Sequence, residues 1–244
     1  MITTGNTILI TGGSSGIGFS LAKRFCELGN KVIITGRNKK KLLQIKDEYP
    51  KIDFFSGDLT LDSSLRELES FILLKYPDLN ILINNAAVQY NYNFLDNLDF
   101  ISVIDYEISA NLSAPIKLTA LLLPILTENY NTAIVNVSSG LFIAPKKTAS
   151  VYCATKSAIH SFSRTLRYQL ERTDTKVFEI IPSLIDTPMT SGRGRSKIST
   201  EQLTDEFLKN FETNKLESYI GKTKLLRFIN RLSPTLSFKI MKDE

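Results

Sequence analysis

"NTILITGGSSGIGFSLAKRFCELG", residues 6 to 29, decides how this 244-residue chain begins to fold. An apolar run of a few residues enters a glycine-rich turn, and an amphipathic segment closed by Gly29 leaves it. That order reads as strand, tight turn and helix. The same rhythm continues down the chain. "KVIIT" (31–35), "KIDFFSGD" (51–58), "NILINNA" (80–86), "TAIVNVSS" (132–139) and "KVFEIIP" (176–182) read as buried strands, with "ESYI" (217–220) as a short last one. Helices are predicted over 39–49, 62–76, 150–172 and about 200–214, with a long helical stretch over 97–129 that Pro115 and Pro124 should bend or interrupt. Short Val/Ile-rich strands alternating with helices predict one doubly wound α/β domain, a parallel sheet with helices on both faces. No repeat, linker or second domain is visible in residues 1–244.

The turn itself, "TGGSSGIG" (11–18), suits a phosphate. Glycines let backbone amides approach an anion without an intervening Cβ, and the helix behind them offers unpaired N–H groups and a positive dipole end. The spacing G-x-x-x-G-x-G departs from the usual G-x-G-x-x-G, and Phe19 and Ser20 replace the Lys-Ser/Thr ending of a nucleotide-triphosphatase loop. A plain tight turn is the competing reading. Strand two ends in "TGRN" (35–38), where an acidic residue would bind ribose hydroxyls and select NAD. Arg37 stands there instead, with no acid between Lys31 and Lys41, which favours a 2′-phosphate and so NADP(H), with NAD(H) as the alternative.

Composition is that of an ordinary soluble chain, 43% hydrophobic and 23% charged. No uninterrupted apolar run reaches the roughly 18 residues of a membrane span, and the N-terminus lacks the pattern of a signal peptide. Cys26, Cys153 and a single histidine, His160, give neither a disulfide framework nor a metal-ligand set, so no metal is expected and the cytoplasm is the expected compartment. The net charge of +5 is concentrated in residues 221 to 244, a basic amphipathic segment that suits a docking helix better than a membrane surface. No broad basic face or reading motif points to nucleic acid.

"VYCATK" (151–156) places a phenol and an ammonium four residues apart, on one face of a helix. A free tyrosine titrates near pH 10, and a cation about 4 Å away could stabilise its phenolate by up to roughly 4 kcal/mol at an effective dielectric of 20. Lys156 is therefore read as the group that tunes Tyr152 as a general acid or base. Ser139, at the end of strand five, can stabilise charge on a substrate oxygen, with Ser138 as its competitor. "VSSGL" is not a nucleophile elbow, which disfavours a serine hydrolase using His160. His160 and Cys153 read as packing or interface residues.

Thr11-Gly-x-x-x-Gly-Ile-Gly18, Asn84-Asn-Ala-Ala87, Asn111, Ser139, Tyr152-x-x-x-Lys156 and Pro182-Ser183 together resemble the short-chain dehydrogenase/reductase family, in its order and spacing across residues 7 to 190. With "YCATK" and the C-terminal "LSPTLSFKIM", the chain resembles a bacterial subgroup of it. The resemblance implies a Rossmann-type fold and NADP(H)-dependent interconversion of a small-molecule carbonyl and a secondary alcohol. It implies that Gly12, Ser14, Ser15, Gly16, Ile17 and Gly18 cradle the dinucleotide, and that Asp58 and Leu59 contact adenine. Asn85 and Ala86 would lie along the ribose, and Ile185 and Thr187 would secure the nicotinamide amide. Lys156 would bond the cofactor ribose, and Asn111 would hold a water that relays protons, a capping or core role being its alternative. A homodimer or homotetramer built through the 97–129 region and the 150–172 helix is implied as well. Ala87 and Ser183 stand where the family carries glycine. A mobile loop over about 187–200, with Arg193 and Arg195, is expected to close over substrate and hints at an anionic one. The rival readings are a dinucleotide-bound regulatory or scaffold protein without turnover and a membrane-associated lipid-carbonyl reductase.

Overall fold

Every strand is flanked by apolar alternation, and the alternation sorts the core into two layers. In the computed structural model, which describes residues 1–96, 99–194 and 196–243, the first strand, β1 (Thr7–Ile10), sends Ile8 and Ile10 to one face and Leu9 to the other. β2 (Lys31–Gly36), β3 (Ile52–Ser56), β4 (Ile81–Asn84), β5 (Ala133–Val137), β6 (Lys176–Pro182) and β7 (Glu217–Ile220) join it in a seven-stranded sheet. The order is β3-β2-β1-β4-β5-β6-β7, parallel throughout.

Helices cover both faces. α1 (Gly16–Glu27) and α7 (Thr200–Glu212) close one layer, in which Phe25, Phe178, Phe207 and Phe211 are fully buried. α3 (Asp62–Lys75), α5 (Ala114–Glu128) and α6 (Ser150–Gln169) close the other through Leu68, Ile72, Leu122, Leu126 and Leu166. α2 (Lys39–Glu48) sits beyond β2, its first turn capped by the Asn38 side chain, which accepts from the Lys41 N–H at 3.0 Å.

The chain leaves β1 towards β2 on one side and returns to β4 on the other. The strand order therefore reverses between β1 and β4, and a crevice opens at their C-terminal ends. Side chains of Asn6, Asn30, Asn80 and Asn131 tie the opposite, N-terminal ends of β1, β2 and β4 together.

The 97–129 stretch departs from expectation. α4 (Ile101–Ile108) runs into a π-helical turn over Ser109–Ser113 and then into α5. Neither proline makes this break. Pro115 occupies the first turn of α5, where its missing N–H is harmless, and Pro124 lies inside the helix. The combined run Ile101–Glu128 is long and apolar enough to cross a membrane by length and composition, with an 18-residue window of mean hydropathy 1.4, although Asp105, Glu107 and Lys117 keep it from being an uninterrupted apolar run. Its inner face packs on α3 and β4 in the core. The C-terminal segment forms α8 (Thr223–Leu232) and α9 (Pro234–Met241), which pack on each other and on the body. Leu226 is buried, and Lys147 N–H donates to Lys242 O at 3.1 Å.

Candidate active site

The crevice between β1 and β4 continues into a cleft of about 290 Å³. Its floor is set by the side chain of Thr11, whose Oγ1 accepts from the backbone N–H of Asn85 and of Ala86, both at 3.0 Å. Asn85 Nδ2 returns a bond to Thr11 O at 2.9 Å. Gly12 takes φ +65°, and a Cβ there would lie 2.9 Å from the Ala86 backbone, so only glycine permits this approach. Ser15 precedes α1 in extended conformation without a side-chain cap, which leaves the first amides of α1 facing the cleft. The donors, the dipole and the absence of a blocking Cβ fit the diphosphate of a dinucleotide.

Gly12, Ser14, Ser15, Gly16, Ile17, Arg37, Asp58, Leu59, Asn85, Ala86, Tyr152, Lys156 and Thr187 all line this cleft. Two expected cofactor residues do not. Gly18 is buried under the turn, where a Cβ would meet Asn85 Nδ2 at 2.4 Å and Gly12 O at 2.5 Å, so its role is close packing of helix on loop. Ile185 is 3% exposed, its side chain held in the core. Ala87 lines the cleft. Ser183 does not. It faces Gly221, whose added Cβ would stand 2.4 Å from Ser183 Oγ, and its N–H donates to Ile220 O at 3.0 Å.

Sequence reasoning missed Tyr106, which joins the far end of the cleft. Arg37 donates to its hydroxyl, and Tyr106 Oη donates to Asp58 Oδ2 at 3.4 Å, so β2, α4 and the end of β3 meet there. Nothing in the α4 sequence marks that tyrosine, because only the tertiary fold brings it to Arg37.

Tyr152 and Lys156 rise from α6 at the other end. Lys156 Nζ donates to Val137 O at 2.8 Å and stands 5.4 Å from the centroid of the Tyr152 ring. Burial, the largest influence, pushes Tyr152 above the ordinary phenol range, with Cys153 and Glu107 adding to it, while a hydrogen bond with the Ser139 side chain and the Arg193 charge oppose it. Burial also pushes Lys156 down to about 8, against the pull of Glu179 and Glu107. Desolvation thus outweighs the expected acidification of Tyr152 by its neighbour among the chain's own groups. Ser138 turns its hydroxyl to Ile180 O at 3.4 Å, whereas Ser139 reaches Tyr152 and caps the short turn Gly140–Phe142, accepting from Leu141 N–H at 3.2 Å.

Asn111 lies behind the cleft wall, inside the π turn and 1% exposed. It accepts from Val88 N–H at 2.8 Å, donates to Val88 O at 2.8 Å, and reaches Thr155 Oγ1 at 3.4 Å. The loop after β6 is pinned at its base. Pro188–Thr190 form a 3-10 turn with a Thr187–Thr190 capping box, and Ile185 bridges Ile198. Arg193 Nη1 is buried without a hydrogen-bond partner among the described residues, and Arg195 lies outside them. His160 stacks on Phe142 at 3.9 Å and bonds Glu179 at 2.9 Å. With Glu217 these form a cluster of metal-ligating types, but Arg167 already bridges the two carboxylates, at 3.1 Å from Glu217 and 3.9 Å from Glu179.

A parallel sheet of this order, with a glycine cradle at its reversal point, defines a dinucleotide-binding α/β protein. The family described as short chain dehydrogenase matches residues 6–197, and the chain belongs to it, a family of oxidoreductases. The "Uncharacterized oxidoreductase DltE" of Bacillus subtilis is 39% identical over 251 residues, covering 100% of this chain and 99% of that protein. A short-chain dehydrogenase from Sphingobium yanoikuyae, solved in complex with NADPH, is similar at TM-score 0.80 and 26% identity, covering 95% of each chain. A bulky-bulky ketone specific alcohol dehydrogenase from Comamonas testosteroni is similar at TM-score 0.79 and 26% identity, covering 95% of this chain and 93% of that one.

Proposed function

We propose that this oxidoreductase uses NADP(H) to interconvert a carbonyl and a secondary alcohol. The observation that carries the reading is that one cleft is lined at one end by the Gly12–Ile17 cradle and at the other by Tyr152 and Lys156. The NADPH complex of the Sphingobium relative and the ketone specificity of the Comamonas relative support it. The uncapped N-terminus of α1 would hold the diphosphate, and Arg37, with no acid at the end of β2, would take a 2′-phosphate. When bound, the nicotinamide supplies or accepts the hydride.

The chain's own residues handle orientation and the proton. Tyr152, kept protonated by burial, gives its proton to the carbonyl oxygen during reduction, and the Ser139 hydroxyl steadies the charge on that oxygen. Lys156, charged below about pH 8, stabilises the phenolate left on Tyr152. Asn111 pins the Val88 backbone beside the cleft.

The test is a panel of ketones and alcohols with NADPH or NADP and with the NAD pair, repeated with Tyr152→Phe. Turnover with the phosphorylated cofactor that falls about 10²–10⁴-fold in the variant, with dinucleotide affinity intact, is the expected result. Dinucleotide binding without turnover on any substrate would instead favour a regulatory or scaffold protein.

A further inference from the structure

The C-terminal helix α8 carries three rows of side chains, each stepped by three and then four residues, so that each row follows one side of the helix. Thr223, Leu226 and Asn230 form the inner row. Thr223 Oγ1 lies 2.9 Å from both Ile181 O and Ile220 O, and Leu226 is buried. Asn230 Oδ1 accepts from Ser237 Oγ at 2.7 Å, which ties α9 to α8. Docking of α8 on the body buries this row and leaves the other two outside.

Leu225, Phe228 and Leu232 form the second row, and they are 60%, 59% and 70% exposed. Leu236, Phe238 and Ile240 continue the apolar exposure along α9. Single exposed leucines need no explanation, but a set of this size in one short segment marks a contact surface. Lys224, Arg227 and Arg231 form the third row, flanking the apolar one. Lys224 pairs with Glu206, and the Arg227 guanidinium lies 4.2 Å over the Tyr219 ring. Lys222, Arg231 and Lys239 form no ion pair among the described residues. Phe238, Lys239 and Lys242 meet Pro145, Lys146 and Lys147 around a shallow hollow, which carries the cationic surface on to the chain between Ser139 and Tyr152. The two acids of the segment, Asp243 and Glu244, stand at its very end, and Asp243 is paired with Lys147.

We infer that the outer face of α8 and α9 docks on an anionic lipid bilayer, the apolar row entering the acyl boundary and the cationic row meeting the headgroups. A surface helix of this pattern lies in the plane of the interface, held by buried apolar area and by attraction to acidic lipids. At ten residues α8 is too short to span, so the contact is peripheral. The charge pattern selects this occupant over others. A second copy docking on the same patch through a two-fold axis would set the cationic row against itself. Nucleic acid would use the cations but leave Leu225, Phe228 and Leu232 in water. The apolar row also stands on the outside of a helix, which suits a fluid apolar layer better than a preformed protein partner. The inference goes beyond the enzymatic reading and needs no turnover to be tested.

The test is co-sedimentation of the 244-residue chain with vesicles of phosphatidylglycerol and phosphatidylcholine in equal parts, and with phosphatidylcholine vesicles. Binding to the acidic vesicles should be at least about tenfold tighter, and should weaken at least about fivefold when salt rises from about 0.1 to about 0.5 M. Phe228→Ser with Leu232→Ser should weaken it at least about tenfold. Arg231→Glu with Lys239→Glu should do the same on acidic vesicles and leave neutral ones unaffected. All four side chains are exposed, so both double variants should keep the wild-type unfolding midpoint to within about 2 °C, which separates loss of docking from loss of fold. Wild type that fails to bind acidic vesicles would overturn the inference. So would binding that the serine pair leaves intact, since the cations alone would then explain it. A wild-type oligomer in light scattering that the serine pair dissociates would overturn it in favour of a second copy on this face.

Discussion

Replacing Lys156 with methionine should stabilise the protein against pH in a measurable window while abolishing turnover. The side chain is 3% exposed, and burial brings its pKa from 10.5 to about 8. A fall of about 2.5 units corresponds to roughly 3 kcal/mol. Between those two values the unfolded chain binds a proton that the folded chain has lost, so wild-type stability rises with pH there. Below about pH 8 the whole penalty of a buried ammonium is present. Methionine removes it at every pH, and forfeits the bond to Val137 O, a pH-independent loss of about 1–3 kcal/mol. The two contributions separate cleanly, because only the first depends on pH and Tyr152 is common to both proteins. Guanidinium unfolding followed by circular dichroism from pH 7 to 10.5 should show wild type gaining about 3 kcal/mol on the variant across that range. Parallel stability curves would refute the reasoning, since they would mean that Lys156 is not desolvated in the folded protein.

Gly18→Ala should destabilise by about 1–3 kcal/mol, read from the unfolding midpoint, because its Cβ would press on the Gly12 carbonyl and the Asn85 amide. Arg37→Ala should weaken NADPH binding at least about tenfold relative to NADH in a fluorescence titration, as loss of a charge-assisted phosphate contact demands. Arg193→Ala should lower kcat/KM for a 2-oxo acid at least about tenfold and leave a matched neutral ketone unchanged, since its buried Nη1 has no hydrogen-bond partner among the described residues. Equal losses on both substrates would remove the case for an anionic one.

The strands were legible to within a residue or two because most are compact runs of β-branched and other apolar residues, and their parallel pairing follows from the helices between them. The cradle was equally plain, since glycine spacing is a local property of the chain. The long helical stretch, expected over 97–129, runs from Ile101 to Glu128, with 97 and 98 outside the described residues, and its break falls at neither proline. Pro115 and Pro124 look like interruptions on paper, whereas the π turn at Ser109–Ser113 coincides with the bonds of Asn111 to Val88, a contact 23 residues away in sequence. Tyr106 was invisible for the same reason: its significance lies in Arg37, which the fold alone brings near. The tuning of Tyr152 was argued from the lysine charge, and the fold supplies a larger opposing influence in burial.

Ser183 and Gly221 interlock across the β6–β7 edge, with the serine hydroxyl occupying the space a side chain at 221 would need and Gly221 at φ +71°. The two positions therefore behave as one inherited unit. A chimaera that crosses over between them, joining this chain's first 200 residues to a relative with alanine at the second position, would inherit a steric conflict that neither parent contains. Laboratory recombination of this scaffold should keep its breakpoints outside that interval.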